Sequence, residues 1–239
     1  MTVERIAIVG GTGQEGFGLT LRWASAGIEV IVGSRAADRA AKAANELQER
    51  VPDARVSGLE NEAAVGSSDV VAVVVPYAGQ AAIYKSIAES IRPDAVVIDC
   101  TVPLAAAVGG RPAHVLGVWE GSAAQQAAAL LPRGTTLCAA FHTLSAELLR
   151  DLDAPMAGDV LAVGSKAGKP VVKELVEAIP ALRFVDAGPL ENARLVEPLT
   201  ALMIGLNRRY KTHGAGIQIV GLPDDSDDPK AESPPTSNG

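Results

Sequence analysis

Ile6-Ala7-Ile8-Val9-Gly10-Gly11-Thr12-Gly13-Gln14-Glu15-Gly16 is the stretch whose reading decides the fold. Four apolar residues run into G-x-G-x-x-G at Gly11, Gly13 and Gly16, and a helical stretch from Gly16 to Ala26 follows at once. A strand, a glycine turn and a helix start, in that order, let the phosphates of a dinucleotide approach the backbone closely. The anion belongs at the helix N-terminus, where unpaired N–H groups and the helix dipole favour negative charge. Thr12 and Gln14 lie in the same turn.

Working outward, Val30 to Val32, Val70 to Val75 and Val96 to Ile98 are further short apolar runs of the kind that form buried parallel strands. Helical stretches separate them. Gly16 to Ala26 ends at Gly27, Ala36 to Val51 stops before Pro52, Asn61 to Ser67 is short, and Gln80 to Ile91 ends at Arg92-Pro93. Leu104 to Gly121, rich in Ala, Gly and Pro, reads as an active-site or crossover loop. The alternation resumes with Ser122 to Leu131, Thr136 to Ala140, Ser145 to Leu152, Val160 to Val163 and Val171 to Ile179. A last helix over about Asn192 to Tyr210, bent at Pro198, presents an apolar face that includes Leu195, Leu199, Leu202 and Leu206. The expected fold is α/β, a Rossmann-type doubly wound parallel sheet with a small C-terminal α/β lobe. Residues 1–140 would form the nucleotide-binding domain, 141–221 the lobe and 222–239 a disordered acidic, proline-rich tail.

Composition narrows the function. Hydrophobic residues make up 48% of the 239 positions but aromatics only 3%, so the interior is built of Ala, Val, Leu and Ile, as suits helices on a parallel sheet. The net charge is -7, and the tail supplies much of it through Asp224, Asp225, Asp227, Asp228 and Glu232. No basic run occurs, which excludes nucleic acid as a partner. The last helix carries too many charges to span a membrane. With no secretory signal and only Cys100 and Cys138, the expected location is cytoplasmic, with both thiols acting as buried small hydrophobes. His114, His142 and His213 are scattered, no HExxH or CxxC occurs, and no metal site is expected. Lys166, Lys169 and Lys173 read as solvated.

The end of the second strand selects the nucleotide. Val32-Gly33-Ser34-Arg35 has no acid to hold a ribose 2′-hydroxyl, and Ser34 and Arg35 offer a hydroxyl and a guanidinium suited to a 2′-phosphate. Arg39, one helical turn on, adds charge. NADPH is therefore preferred over NADH. Val75-Pro76-Tyr77 and Cys100-Thr101-Val102-Pro103 end two more strands at the edge where open α/β sheets bind ligands. There Pro76 either shapes the nicotinamide edge or serves as a turn, and Val102 could present backbone to a second ring.

Several segments in one order carry a resemblance: IAIVGGTGQEGFGLTLRWA, IVGSR, VVVPY, FHTLSAELL and VDAGPLENARLVEPLTALMIGLN. Over about Arg5 to Gly221 the chain resembles the NADPH-dependent reductases of the deazaflavin coenzyme F420. The resemblance implies direct hydride transfer between NADPH and F420 stacked in a cleft, in a homodimer. It implies Thr12, Ser34, Arg35 and Arg39 at the NADP phosphates, Val75 and Pro76 beside the nicotinamide, and His142 near the stacked rings. For the deazaflavin it implies backbone contacts at Val102, Ala146 and near Ile217. No side chain is assigned with certainty as catalytic, and His142 is either a ring-positioning residue or a structural histidine. The loop Leu104 to Gly121 departs from the family pattern, so an NADPH-dependent flavin or ferric reductase and a non-catalytic NADPH-sensing regulator stay open as alternatives.

Overall fold

A computed structural model of the chain describes residues 2–222, and the tail expected beyond Leu222 lies outside the described residues. The first half alternates strictly: β1 (Arg5–Val9), α1 (Gln14–Ser25), β2 (Glu29–Ser34), α2 (Ala37–Arg50), β3 (Val56–Glu60), α3 (Asn61–Gly66), β4 (Val70–Val73), α4 (Tyr77–Ile87) and β5 (Val96–Asp99). The second half runs α5 (Ala123–Leu130), β6 (Thr136–Ala139), α6 (Ala146–Leu149), β7 (Gly158–Gly164), α7 (Lys169–Glu177), β8 (Leu182–Asp186), α8 (Ala193–Val196) and α9 (Leu199–Tyr210). All eight strands join one sheet in the order β3-β2-β1-β4-β5-β6-β7-β8. Neighbours are parallel except β6 and β7, which pair antiparallel through Cys138↔Gly164 and Ala139↔Val163. The strands from the stretch expected to form the small lobe thus extend the same sheet.

The apolar runs do what parallel strands require. In β1, Ile6 and Ile8 face the helix layer holding Trp23 and Leu47, while Ala7 and Val9 face the layer holding Tyr84 and Ile87. Both faces are buried, as the period of two demands when helices cover a sheet on each side. β3 and β8 carry no such run. β3 is an edge strand fully buried only at Val56, and a Cβ on Gly58 would lie 2.3 Å from the backbone of Ala40, so a missing side chain seats it against α2. β8 is the opposite edge and carries Arg183 and Asp186. Lys169 corrects its solvated reading: it is buried at the start of α7, pairs with Asp186 at the end of β8 and donates to the Gly188 carbonyl at 2.8 Å.

Two ties hold the later segments to the carboxyl edge of the sheet. Gly18 lets α1 approach α6 closely, and Arg22 in the last turn of α1 donates to carbonyls of Leu148 (2.7 Å), Leu149 (3.1 Å), Ala154 (3.1 Å) and Asp151. The last helix breaks at Pro198 into α8 and α9, as expected. The buried Glu197 beside the break accepts from the amides of Ala123 and Ala124, both at 2.9 Å, at the start of α5. Near the C-terminus the Asp159 amide donates to the Ile217 carbonyl at 2.7 Å, fixing Gly214 to Ile219 along the start of β7. No helix among the described residues is long and apolar enough to cross a membrane.

Candidate active site

The glycine turn after β1 is shaped by what it leaves out. Gly10 takes the left-handed conformation (φ +85°), and a Cβ there would lie 2.2 Å from the Val74 carbonyl oxygen. A Cβ on Gly16 would lie 2.6 Å from the Gly10 oxygen, and one on Gly11 3.0 Å from Val32. Gly13 occupies the N-cap of α1 without a side-chain cap, so the first-turn amides of Gln14, Glu15 and Gly16 are open to an anion.

In front of this turn is a cleft of about 590 Å³. Thr12, Gly13, Ser34, Arg35 and Arg39 form one side, and Val75 and Pro76 lie across from them at the end of β4. Ser34 is buried, with its hydroxyl oriented by the Ala36 amide at 3.4 Å. Arg35 and Arg39 are exposed and make no ion pair among the described residues. Sequence reasoning missed a third wall, Glu60, Asn61 and Glu62 at the junction of β3 and α3. Its signal was hidden because β3 has no apolar run. Asn61 is buried and its Oδ1 has no hydrogen-bond partner.

Farther along the carboxyl edge the surroundings become dry. His142 follows β6, is 4% exposed, and neither ring nitrogen has a partner. Burial pulls its pKa down to about 4, so the imidazole is neutral at physiological pH. Phe141 before it is held at φ +69°, an unfavourable conformation for a bulky residue. Its ring meets Trp23 edge-on at 5.4 Å, and the Trp23 indole donates to the Leu175 carbonyl at 2.8 Å. Thr200 fixes the other side through a 2.8 Å bond to the His142 carbonyl. Thr101 after β5 is likewise buried. Asp99 braces that strand end, accepting from Gln80 (2.6 Å), Tyr84 (2.9 Å) and the Thr101 amide (2.5 Å). Burial pushes Asp99 up to about 6. A lone acid closing the run Val96-Val97-Ile98 was the signal for it.

The expected residues therefore do not all meet in one cavity. Thr12, Gly13, Ser34, Arg35, Arg39, Val75 and Pro76 line the cleft, Gly11 and Gly16 shape the turn, and exposed Gln14 opens α1. Val102, His142 and Ala146 lie at the ends of β5 and β6 and the start of α6, outside the lining of that cleft. Ile217 lines a separate cavity of about 60 Å³ with Thr143, Leu144 and Ser145. Cys100 and Cys138 are free and buried.

Residues 5–103 match the profile of a family described as NADP oxidoreductase coenzyme F420-dependent. The F420-dependent NADP reductase of Methanothermobacter thermautotrophicus is 42% identical over 226 residues, covering 93% of this chain and 97% of that one. The chain belongs to the F420-dependent NADP reductase family. The Methanocaldococcus jannaschii member is 39% identical over 223 residues, covering 91% and 99% of the two chains. Among solved structures, a candidate F420-dependent NADP reductase from Arthrobacter sp. FB24 superposes with a TM-score of 0.76 at 21% identity, over 91% of this chain and 99% of that one. Plasmodium falciparum pyrroline carboxylate reductase, solved with NADP bound, gives 0.52 at 10% identity over 78% and 59%. At such identities the two structures speak for the fold alone.

Proposed function

We propose that this chain transfers a hydride directly between NADPH and coenzyme F420, in the manner its relatives' names describe. The observation that carries this reading is the meeting, in one cleft of a family member, of an uncapped helix N-terminus with Ser34, Arg35 and Arg39. The residues present fit a phosphorylated dinucleotide. The turn has no room for side chains at Gly10 and Gly16, and the Asn61 Oδ1 is an acceptor awaiting a donor. Thr12, Gln14 and the α1 amides would hold the pyrophosphate. Two arginines share the cleft with Glu60 and Glu62, so fork-shaped guanidinium contacts, rather than net charge, would select the 2′-phosphate. Val75 and Pro76 would border the nicotinamide, with neutral His142 fixing ring position, and Val102, Ala146 and Ile217 would take the deazaflavin side.

The two bound rings supply the redox chemistry between themselves. The chain's own work is orientation and exclusion of water. The division into a nucleotide-binding part (1–140) and a part completing the deazaflavin side (141–221) belongs to this reading. So does a homodimer through the last helices, where Leu195 and Leu202 are 66% and 53% exposed. A monomer by light scattering at assay concentration would count against the dimer. Two free buried thiols support a reducing, cytoplasmic setting.

The test of the activity is an acceptor screen with NADPH, following the deazaflavin absorbance band anaerobically and aerobically. Saturable oxidation with F420 and none with FMN or FAD is expected. Equal turnover with the flavins, or NADPH binding without any turnover, would overturn the proposal.

A further inference from the structure

Glu15 occupies one of the two variable positions between Gly13 and Gly16 of the glycine motif. Its Oε1 is fully buried and has no hydrogen-bond partner. It belongs to the first turn of α1, beside the gap between the ends of the neighbouring strands β1 and β4. That is the crevice where the strand order reverses, the position at which open α/β sheets hold ligands. A second buried polar side chain without partners belongs to the same carboxyl edge, His142 at 4% exposure. A protein satisfies nearly all buried polar groups, so two left open at one edge point to a polar ligand that completes them.

Only one of these groups holds an exchangeable proton at neutral pH. Burial alone raises the Glu15 carboxyl to about 8, whereas His142 is already neutral. The neighbouring ionisable groups leave Glu15 without a counter-ion. From β5, Asp99 is held by Gln80, Tyr84 and Thr101, and Cys100 is a protonated thiol. From α6 and its end, Glu147 pairs with His213 at 3.2 Å and Arg150 lies over the Phe17 ring at 5.7 Å. From α2, Arg50 lies over the same ring at 5.3 Å. A cation placed beside the carboxyl would therefore be the first charge to stabilise its ionised form, aided by the open amides of the α1 terminus.

We propose that Glu15, in the glycine turn behind the cleft, is the proton-carrying group of the dinucleotide site, neutral when the uncharged reduced nicotinamide is bound and ionised when the cationic oxidised one is. The proposal rests on the reading of the cleft as an NADP(H) site. Glu15 would then release one proton to solvent when NADP⁺ binds and keep it when NADPH binds. It would act as an electrostatic sensor of the ring's oxidation state, favouring the cationic product of hydride donation. Between about pH 6 and 8 the affinity for NADP⁺ should rise about tenfold per pH unit relative to that for NADPH, the slope expected for one linked proton. The 2′-phosphate also titrates near pH 6, but both nucleotides carry it and it cancels in the comparison.

The experiment is isothermal titration calorimetry of the full chain with NADP⁺ and with NADPH at pH 7, each in phosphate and in Tris. The buffers' different ionisation enthalpies report the protons released. The expected result is close to one more proton released with NADP⁺ than with NADPH, and loss of that difference in Glu15→Gln while both nucleotides still bind. Equal proton release by the two nucleotides in the native chain overturns the proposal without any variant. So does a difference that survives Glu15→Gln, or one that vanishes in His142→Asn but not in Glu15→Gln. Failure of both nucleotides to bind would instead remove the reading of the cleft, and this inference with it.

Discussion

Arg35 and Arg39 stand in solvent at one end of the carboxyl edge, whereas farther along it His142 and the Oε1 of Glu15 are buried and unpartnered. The first end offers long, flexible, charged side chains suited to a phosphate, whose loss should leave the fold unchanged. The second offers short polar groups fixed by backbone: a Phe141 held at φ +69°, a Thr101 amide bound to Asp99, a helix start pressed onto a glycine turn. Affinity and nucleotide choice should therefore be separable from ring chemistry by mutation. The turn at Gly10 joins both ends.

Breaking that turn should have the largest effect, because Gly10→Ala adds a Cβ 2.2 Å from a backbone oxygen at a left-handed residue. We expect a loss of about 3 kcal/mol or more in stability and no measurable nucleotide binding, read by thermal melting and by fluorescence titration. Gly27→Ala is the control, since its φ is also positive (+87°) but nothing lies within 4 Å. If the two variants melt alike, close approach is not what the turn requires.

Arg35→Ala tests the exposed end alone. Removing one charge-assisted contact should weaken NADPH by about 2 kcal/mol, roughly thirtyfold, and leave NADH and the melting temperature nearly unchanged. Equal losses for both nucleotides would show that Arg35 does not read the 2′-phosphate.

The smallest effect sharpens the buried end. His142 is neutral in the fold down to about pH 4, while in the unfolded chain it takes a proton near its ordinary value of 6.5. The unfolded state therefore binds more protons between those values, and His142 makes stability fall as pH drops through that window. Near pH 5.5 the contribution is roughly 1.4 kcal/mol, and His142→Asn should flatten the acid limb of a melting-temperature profile by that amount. An unchanged limb would mean the imidazole is reached by water.

How much of this was legible depended on how each element is covered. β1, β2, β4 and β5 are buried on both faces, so Ile6 to Val9 and Val96 to Ile98 announce themselves as runs. β3 and β8 are edges, where Ser57, Gly58, Arg183 and Asp186 break the pattern, and with β3 went the wall at Glu60, Asn61 and Glu62. That Ser34, Arg35 and Arg39 border a cleft was legible because open α/β sheets form their crevice at the carboxyl ends of the strands. Glu15 was not, because an acid in the first turn of a helix is ordinary and only the buried, unpartnered Oε1 sets it apart.

Arg22 carries one more consequence. Its guanidinium gathers carbonyl oxygens from the chain between Leu148 and Ala154, much as a bound calcium ion gathers them in a loop. Unlike a metal, this cation is covalently part of α1, so no chelator strips it and no accessible pH discharges it. The helix that opens on the nucleotide and the segment that follows His142 are thereby clamped into one body whatever the ionic composition of the cell. Lysine, with three N–H donors on one nitrogen and no planar fork, could not span the same set of oxygens.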